Sequence, residues 1–547
     1  MSRMTGGEAV ATALEALGVT HVFGIVSVHN LPIYEALTRS ERITVVRCRH
    51  EQGAAHAADA FARASGRLGV VLTSTGPGAV NAMAGLYEAQ FGSSPLLMIT
   101  GQIETRFLGK GKGFLHEAER QLDMLRTVTR RAESVRRTAD IAATVIAVAT
   151  DLLTGRPQPG AIEIPIDLQY AEAEIVVPPV PVPGRPELDP AVLDQVAELL
   201  DGAERPLIWA GGGVVAANGS AALRSLAEKL GAPVITTIEG RGSLPEDHPL
   251  CLGPRVERGA LSPIIKEADV VLAVGTRFQN YATRMWQLKI PGRLVHIDAD
   301  PAVIGRNYPA EVAIVADAAD ALAALAERVH GGGVDDGYVD RARKSVQADL
   351  EKSEEETGPD HWQIWQIIRR LLPDDAPIVR DSTVPAYLWG NRVLPVLHPR
   401  TSIRPSSLAI GPGVPLAVGA ALGSGRRTLL VQGDGGLMLS LGELATLVEH
   451  QLPVVVCVFN DGGYGVLRTI QERVMDRRFG VDLHTPDFAL VAQGIGLASE
   501  RVAGVAEFEA AFGRAVQRPG PTLLDIDMAA LAPMSFPLPP HQRSRAR

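Results

Sequence analysis

From Thr20 to Met528 the chain alternates short β-branched runs with Ala/Leu-rich amphipathic stretches, the rhythm of parallel sheets covered by helices. At 547 residues it is too long for one core, and the length prior suggests about three or four domains. The expected fold is therefore α/β, with three doubly wound parallel-sheet domains. In the first third, THVFGI, ITVVRCR, LGVVLTST and PLLMITG read as strands, with VNAMAGLYEAQ as a helix between them. The Pro-rich connector VVPPVPVPGRPELDP cannot continue a helix or a central strand, so a first domain is expected at 1–175. RPLIWAGG, APVITT, DVVLAVGT and RLVHIDAD then form a middle domain at 188–330. A second linker falls at HGGGVDDGYVD and the charged stretch RARKSVQADLEKSEEE, whose mixed charges read as a solvated face. APIVRDS, RTLLVQGDGG, PVVVCVFNDGG and PTLLDIDM supply a third domain at 355–533, before a polar tail at 534–547 expected to fray. The outer thirds share the same strand–helix rhythm.

Composition removes several function classes. Hydrophobic residues at 46% and charged residues at 21% suit a globular chain and exclude a largely disordered one. A formal net charge of −9 offers no general attraction to nucleic acid, so any anionic ligand must be held locally. No apolar run approaches the ~18 residues of a membrane span, and MSRMTGGEAV lacks the basic-then-apolar order of a signal peptide, so no membrane partner and a cytoplasmic location are expected. Cys48, Cys251 and Cys457 are far apart in sequence and read as buried thiols rather than a metal or redox set.

The most informative segment is Gly433-Asp434-Gly435-Gly436, followed by a helix, a strand and Asn460-Asp461-Gly462-Gly463-Tyr464-Gly465. If the strands LLVQ and PVVVCVF are parallel neighbours, Asp434 and Asn460 converge in the crevice at their carboxyl ends. An Asp carboxylate, an Asn amide oxygen and a backbone carbonyl suit Mg²⁺, which takes oxygen ligands completed by phosphate and water. The glycines let backbone N–H groups and a helix N-terminus approach a phosphate. Gly-Asp-Gly alone is also ordinary turn chemistry; the second motif in this strand context separates the two readings. Ser440 and Glu443 form an S-x-x-E pattern expected to cap the helix between the motifs.

These residues resemble the signature of the thiamine diphosphate family, and the chain is similar to its acetolactate synthase and benzoylformate decarboxylase branch over about residues 4 to 533. The resemblance implies pyrimidine-binding, middle and diphosphate-binding domains in that order. It implies that Asp434, Asn460 and the Gly462 carbonyl hold Mg²⁺, and that Gly433, Gly435, Gly436, Gly462, Gly463 and Tyr464 line the cofactor's diphosphate. Ser382 and Thr383, in RDSTVP, are further diphosphate donors or simply a turn.

Arg49-His50-Glu51-Gln52-Gly53-Ala54-Ala55-His56 is similar to the segment carrying the family's catalytic glutamate, which makes Glu51 that residue. A carboxylate bonded to N1′ of the aminopyrimidine favours the imino tautomer, whose N4′ takes the C2 proton. Without that context, a Glu at a helix start is simply a partner for the helix dipole. In Ala409-Ile410-Gly411-Pro412-Gly413, Ile410 corresponds to the bulky residue that keeps the cofactor bent. The family places the pyrimidine site of one subunit against the diphosphate site of another, so a homodimer or homotetramer is expected and a monomer should be inactive.

The substrate side departs from the synthases. Tyr281, in GTRFQNYAT, stands where they carry an arginine for the second 2-oxo acid; Ile470 replaces a tryptophan; Leu115-His116 replace a Phe-Gln pair before Glu117. The replaced Asp-Asp-Arg also removes flavin contacts, so functional FAD is not expected. His29 sits where synthases have a glycine-rich turn, as in benzaldehyde lyase and a decarboxylase of guanidino-oxoacids, and with His116 it is a candidate proton relay. His50 and His56 read as packing or hydrogen-bonding residues. The expected activity is decarboxylation or carboligation of a 2-oxo acid through an enamine, giving an aldehyde or a 2-hydroxy ketone. Acetolactate synthesis and 2-hydroxy ketone cleavage are the alternatives. More remote are a nucleotide-binding oxidoreductase, argued from Gly211-Gly212-Gly213, and a non-catalytic relative.

Overall fold

The computed structural model describes residues 2–538 and contains three six-stranded parallel sheets, each within its own α/β domain. With strands counted in chain order, the first sheet runs 2-1-3-4-6-5, the second 3-2-1-4-5-6 and the third 2-1-3-4-6-5. The shared rhythm of the outer thirds is thus a shared topology. In every sheet the order reverses beside the first strand, opening a crevice where such sheets take ligands. The strands flanking it are His21–Gly24 and Gly69–Thr73 in the first domain and Ile378–Arg380 and Thr428–Gly433 in the third. In the middle domain they are Pro206–Ala210 and Val270–Val274.

A small antiparallel pair, Ser2–Thr5 with Glu172–Ile175, ties the two ends of the first domain together and was not anticipated. The charged stretch after the middle domain forms the helix Asp336–Thr357. It is more than a solvated face: Tyr338 and Ala342 enter the middle domain's core, and buried Asp349 pairs with Arg255 at 2.7 Å. Of the expected tail, residues from 539 onward lie outside the described residues, while Phe536 is buried in the third domain's core. Cys48 and Cys457 are buried and all three cysteines are free thiols. No described helix is long and apolar enough to cross a membrane.

One apolar core runs continuously from the first domain into the third, from Phe23 and Phe61 to Leu430 and Val456. Its centre is the packing of helix Glu51–Ser65 on helix Gly413–Ser424. The first is Ala-rich, so its backbone can come close; its N-cap is His50, whose Nδ1 accepts from Gln52 N at 3.1 Å, and Gly66 ends it at φ 73°. The second presents Gly419, where a Cβ would lie 1.9 Å from the Ala57 carbonyl oxygen. Only glycine permits this approach.

Candidate active site

In the third domain, strand Thr428–Gly433 ends where Asp434 opens a helical turn, and Asn460 ends the neighbouring parallel strand. Asp434 Oδ2 accepts from Gly463 N at 2.7 Å. Asn460 Nδ2 donates to Asp525 Oδ1 at 3.1 Å, which turns its Oδ1 toward the Gly462 amide, 3.4 Å away. Burial raises the Asp434 carboxyl. Burial and then repulsion from Asp434 push the Asp461 carboxyl up to about 6. Two crowded carboxylates beside an amide oxygen are a donor set suited to a hard divalent cation. The third predicted oxygen is already engaged: the Gly462 carbonyl accepts from Leu483 N at 3.0 Å and from Arg468 Nη2 at 3.2 Å.

The glycines have steric reasons. A Cβ at Gly435 would meet the Tyr464 ring at 2.8 Å, and one at Gly436 would meet Asp381 Oδ2 at 2.9 Å. Asp381 was missed in the sequence. Fully enclosed, its carboxylate accepts from Gly411 N at 3.1 and 3.0 Å and from Gln432 Nε2 at 2.6 Å, and so joins the loop carrying Ile410 to the strand before Gly433. Burial raises its carboxyl. The Ser382 hydroxyl donates to the Leu408 and Ala409 carbonyls at 3.1 Å each, whereas the Thr383 Oγ1 faces Gly433, 3.0 Å from where a Cβ would be. Ile410 itself remains 38% exposed at the crevice. The expected Ser440–Glu443 capping box does not form: the Ser440 hydroxyl has no partner, and the Glu443 carboxylate is spent on another domain.

In the first domain, Glu51 is the first residue of its helix, and its Oε2 accepts from Asn81 Nδ2 at 3.0 Å. Asn81, also unanticipated, belongs to the helix that follows Gly76-Pro77-Gly78. Glu51 Oε1 lies 3.1 Å from where a Gly78 Cβ would be, and Ser74 Cβ lies 3.0 Å from the same point. Ser74 Oγ is 3.5 Å from His116 Nδ1, and the His116 and His29 ring centroids are 5.1 Å apart. The two histidines are thus brought together on the Glu51 side of the crevice. His116 takes a left-handed φ of 59°. His29 is buried with no partner at Nδ1, and burial, then the neighbouring His116, lower its pKa, so it is neutral at neutral pH. Beneath them buried Gln121 accepts from Thr75 Oγ1 at 2.9 Å and Gly76 N at 2.8 Å, fixing the loop. His50 is the helix cap, and His56 is buried with both ring nitrogens unpaired.

The middle domain's crevice opens into a cavity of about 650 Å³ lined by residues including Arg156, Glu239, Arg277 and Tyr281. Burial and then Arg156 push Arg277 down to about 10. Gly211 and Gly213 pack against the Gly275 backbone, a Cβ at Gly211 falling 2.1 Å from its carbonyl oxygen. Ile470 lies on helix Gly465–Val474, which has no buried residue in the single chain and starts directly after Tyr464.

Residues 4–126 match the N-terminal TPP binding domain of the thiamine pyrophosphate enzymes, residues 193–325 their central domain and residues 385–526 their C-terminal TPP binding domain. The chain is 33% identical to a probable acetolactate synthase large subunit of Methanocaldococcus jannaschii, with 98% of this chain and 94% of that protein covered. It is 34% identical to a probable 2-ketoarginine decarboxylase of Pseudomonas aeruginosa, covering 96% and 94%. With the acetolactate synthase large subunit of Corynebacterium glutamicum the identity is 32%, covering 91% and 83%. Three domain matches in this order and full-length relatives place the chain in the thiamine pyrophosphate enzyme family.

Proposed function

We propose that this member of the family is a thiamine diphosphate- and Mg²⁺-dependent decarboxylase and carboligase of 2-oxo acids, active as a homodimer or homotetramer. The observation that carries the reading is the pairing of His116 with neutral His29 on the Glu51 side of a crevice. Apolar side chains left exposed around both outer crevices, such as Val28, Leu115, Ile410 and Leu467, support a second subunit closing them.

Bound thiamine diphosphate supplies a carbon nucleophile and a sink for the electrons released when CO₂ leaves. Glu51 holds a proton at N1′ of the pyrimidine, and Asn81 keeps its carboxylate turned to that task. Ile410 would support the cofactor within the crevice, on a loop anchored by Asp381 and Ser382. Asp434 and Asn460 would hold Mg²⁺, whose charge would offset the repulsion between Asp434 and Asp461. The Gly462 carbonyl would complete the set only by giving up its bonds from Leu483 and Arg468. Gly433, Gly435, Gly436, Gly463 and Tyr464 line the diphosphate. Thr383 is the free hydroxyl donor there, because Ser382 is committed to the Ile410 loop.

His29 and His116 would move a proton to or from the substrate carbon, which favours release of an aldehyde. Tyr281 offers no cation to a second 2-oxo acid, supporting decarboxylation or mixed ligation, and the same replacement supports catalysis without FAD. The synthase relatives favour acetolactate formation as a second reading. Purified protein with Mg²⁺, thiamine diphosphate and a panel of 2-oxo acids and aldehydes separates the two. CO₂ with an aldehyde or mixed 2-hydroxy ketone is expected, abolished by chelation of the metal. Acetolactate from pyruvate alone would overturn the reading of Tyr281 and Ile470, and full turnover by Glu51→Gln the role of Glu51.

A further inference from the structure

We propose that Glu443, reaching across from the third domain, is a positioning residue for Glu51 of the same chain. The inference rests on Glu51 being the catalytic glutamate. Backbone N–H groups at a helix start have no partner within the helix and must find one elsewhere. His50 supplies one for Gln52, but the amides of Arg49 and His50, which lead the chain into Glu51, both donate to Glu443 Oε1, at 2.9 and 3.1 Å. Its Oε2 accepts from Thr446 Oγ1 at 2.7 Å, so the buried carboxylate has partners on both oxygens. The carboxylate lies against the first turn of the helix: a Cβ at Gly53 would be 2.4 Å from Oε1. It also meets the positive end of the helix dipole.

A second carboxylate on the same segment continues the clasp, Glu449 pairing with Arg49 at 2.7 Å and with Arg47. Arg47, Arg49 and His50 are therefore held from positions 443–449, while the Cys48 amide donates instead to the Gly24 carbonyl. In the dimer proposed above, Glu51 acts on cofactor held by the partner's third domain. Its own third domain sets where Glu51 begins. Each active site then depends on the third domains of both subunits, one holding the cofactor and one aiming the proton.

The test uses the full chain as Glu443→Ala, Glu443→Gln and Glu51→Gln. Amide hydrogen exchange of residues 47–56 is followed without cofactor, and C2-proton exchange and affinity of thiamine diphosphate with Mg²⁺. Loss of two charge-assisted bonds in Glu443→Ala should speed exchange at Arg49 and His50 and slow C2-proton exchange by about tenfold each, with cofactor affinity changed less than about threefold. Glu443→Gln, which keeps an acceptor oxygen, should recover both to within about threefold. If Glu443→Ala does not fold, Glu443→Asp, which withdraws the carboxylate by one methylene, should show the same two changes. Wild-type amide exchange at 49 and 50, or wild-type C2-proton exchange, in the truncated variant would overturn the inference. A wild-type chain that binds no thiamine diphosphate, or a Glu51→Gln chain that exchanges C2 normally, would instead overturn the functional reading, while the amide data would still decide the clasp.

Discussion

Gly419→Ala is the most direct probe of how the first and third domains set the catalytic geometry. The added methyl would fall 1.9 Å from the Ala57 carbonyl oxygen and 2.8 Å from its carbon, both backbone atoms of the helix that Glu51 begins. Ordinary contact needs about 3.5 Å, so the helices must part by roughly 1.5 Å. Backbone cannot rotate aside, which puts the cost at the upper end of the overpacking range, about 3 kcal/mol. The helix moves as a rod and carries Glu51 with it, and a 1 Å misplacement costs about 100-fold in rate. At Gly423 the nearest atom is the Phe61 carbonyl oxygen at 2.8 Å, so Gly423→Ala should cost about 1 kcal/mol and about tenfold in kcat. Gly513, in helix Val505–Gln517, has nothing nearer than Leu371 Cδ1 at 3.9 Å, so Gly513→Ala should stabilise by about 0.5–1 kcal/mol without changing kcat. Urea unfolding and kcat at saturating cofactor test the series. A Gly419→Ala protein with wild-type stability and kcat would refute the steric reasoning, and so would a Gly513→Ala protein less stable than Gly423→Ala.

Burial without a partner holds His56 down to about 4, whereas the unfolded chain takes up that proton near the ordinary 6.5. The unfolded state therefore binds more protons in between, so the stability His56 contributes is full above about 6.5 and is lost as pH falls toward 4, about 2 kcal/mol by pH 5. His56→Leu should flatten the fall in urea midpoint between pH 7 and 5 by that amount, and an unchanged slope would exclude the group. Asp381→Ala orphans the Gly411 amide and leaves Gln432 Nε2 with only the Gly433 carbonyl, which should cost about 3 kcal/mol and weaken thiamine diphosphate binding through Ile410. Cofactor titration beside thermal unfolding checks it, and unweakened binding in a destabilised protein would confine Asp381 to a structural role.

What could be read in the sequence was what is local. Gly433–Gly436 and Asn460 announce a crevice because one strand–helix–strand unit brings them together, and the interior strands stand out because they are buried on both faces. The strands that escaped notice are mostly edges: Arg131–Ser134, Cys251–Gly253, Val312–Val315, Ser402–Ile403 and Ala498–Val502. An edge strand pairs on one side only, so it can be short and carry charges such as Glu133 or Glu500 without breaking the ladder. Gly160–Pro165, an interior strand, was hidden by Glu163, a buried carboxylate satisfied by Gln102 and Gln121.

The residues that aim the site were illegible for a different reason. Asp381 is defined by amides thirty positions away, and Glu443 by amides nearly four hundred positions away, so neither leaves a periodic mark on its own segment. The S-x-x-E pattern at Ser440 even pointed to a local use for Glu443 that the fold rejects: Ser440 sits at φ −135°, ψ 24°, outside the extended region an N-cap needs. The identical 2-1-3-4-6-5 order of the outer sheets puts chemistry at matching places, after the first and third strands: His29 and Ser74 in one, Asp381–Thr383 and Asp434 in the other. The rhythm of the sequence suggested two similar domains. Only the pairing of strands shows that their ligand crevices are equivalent, and only contacts across domains decide where Glu51 points.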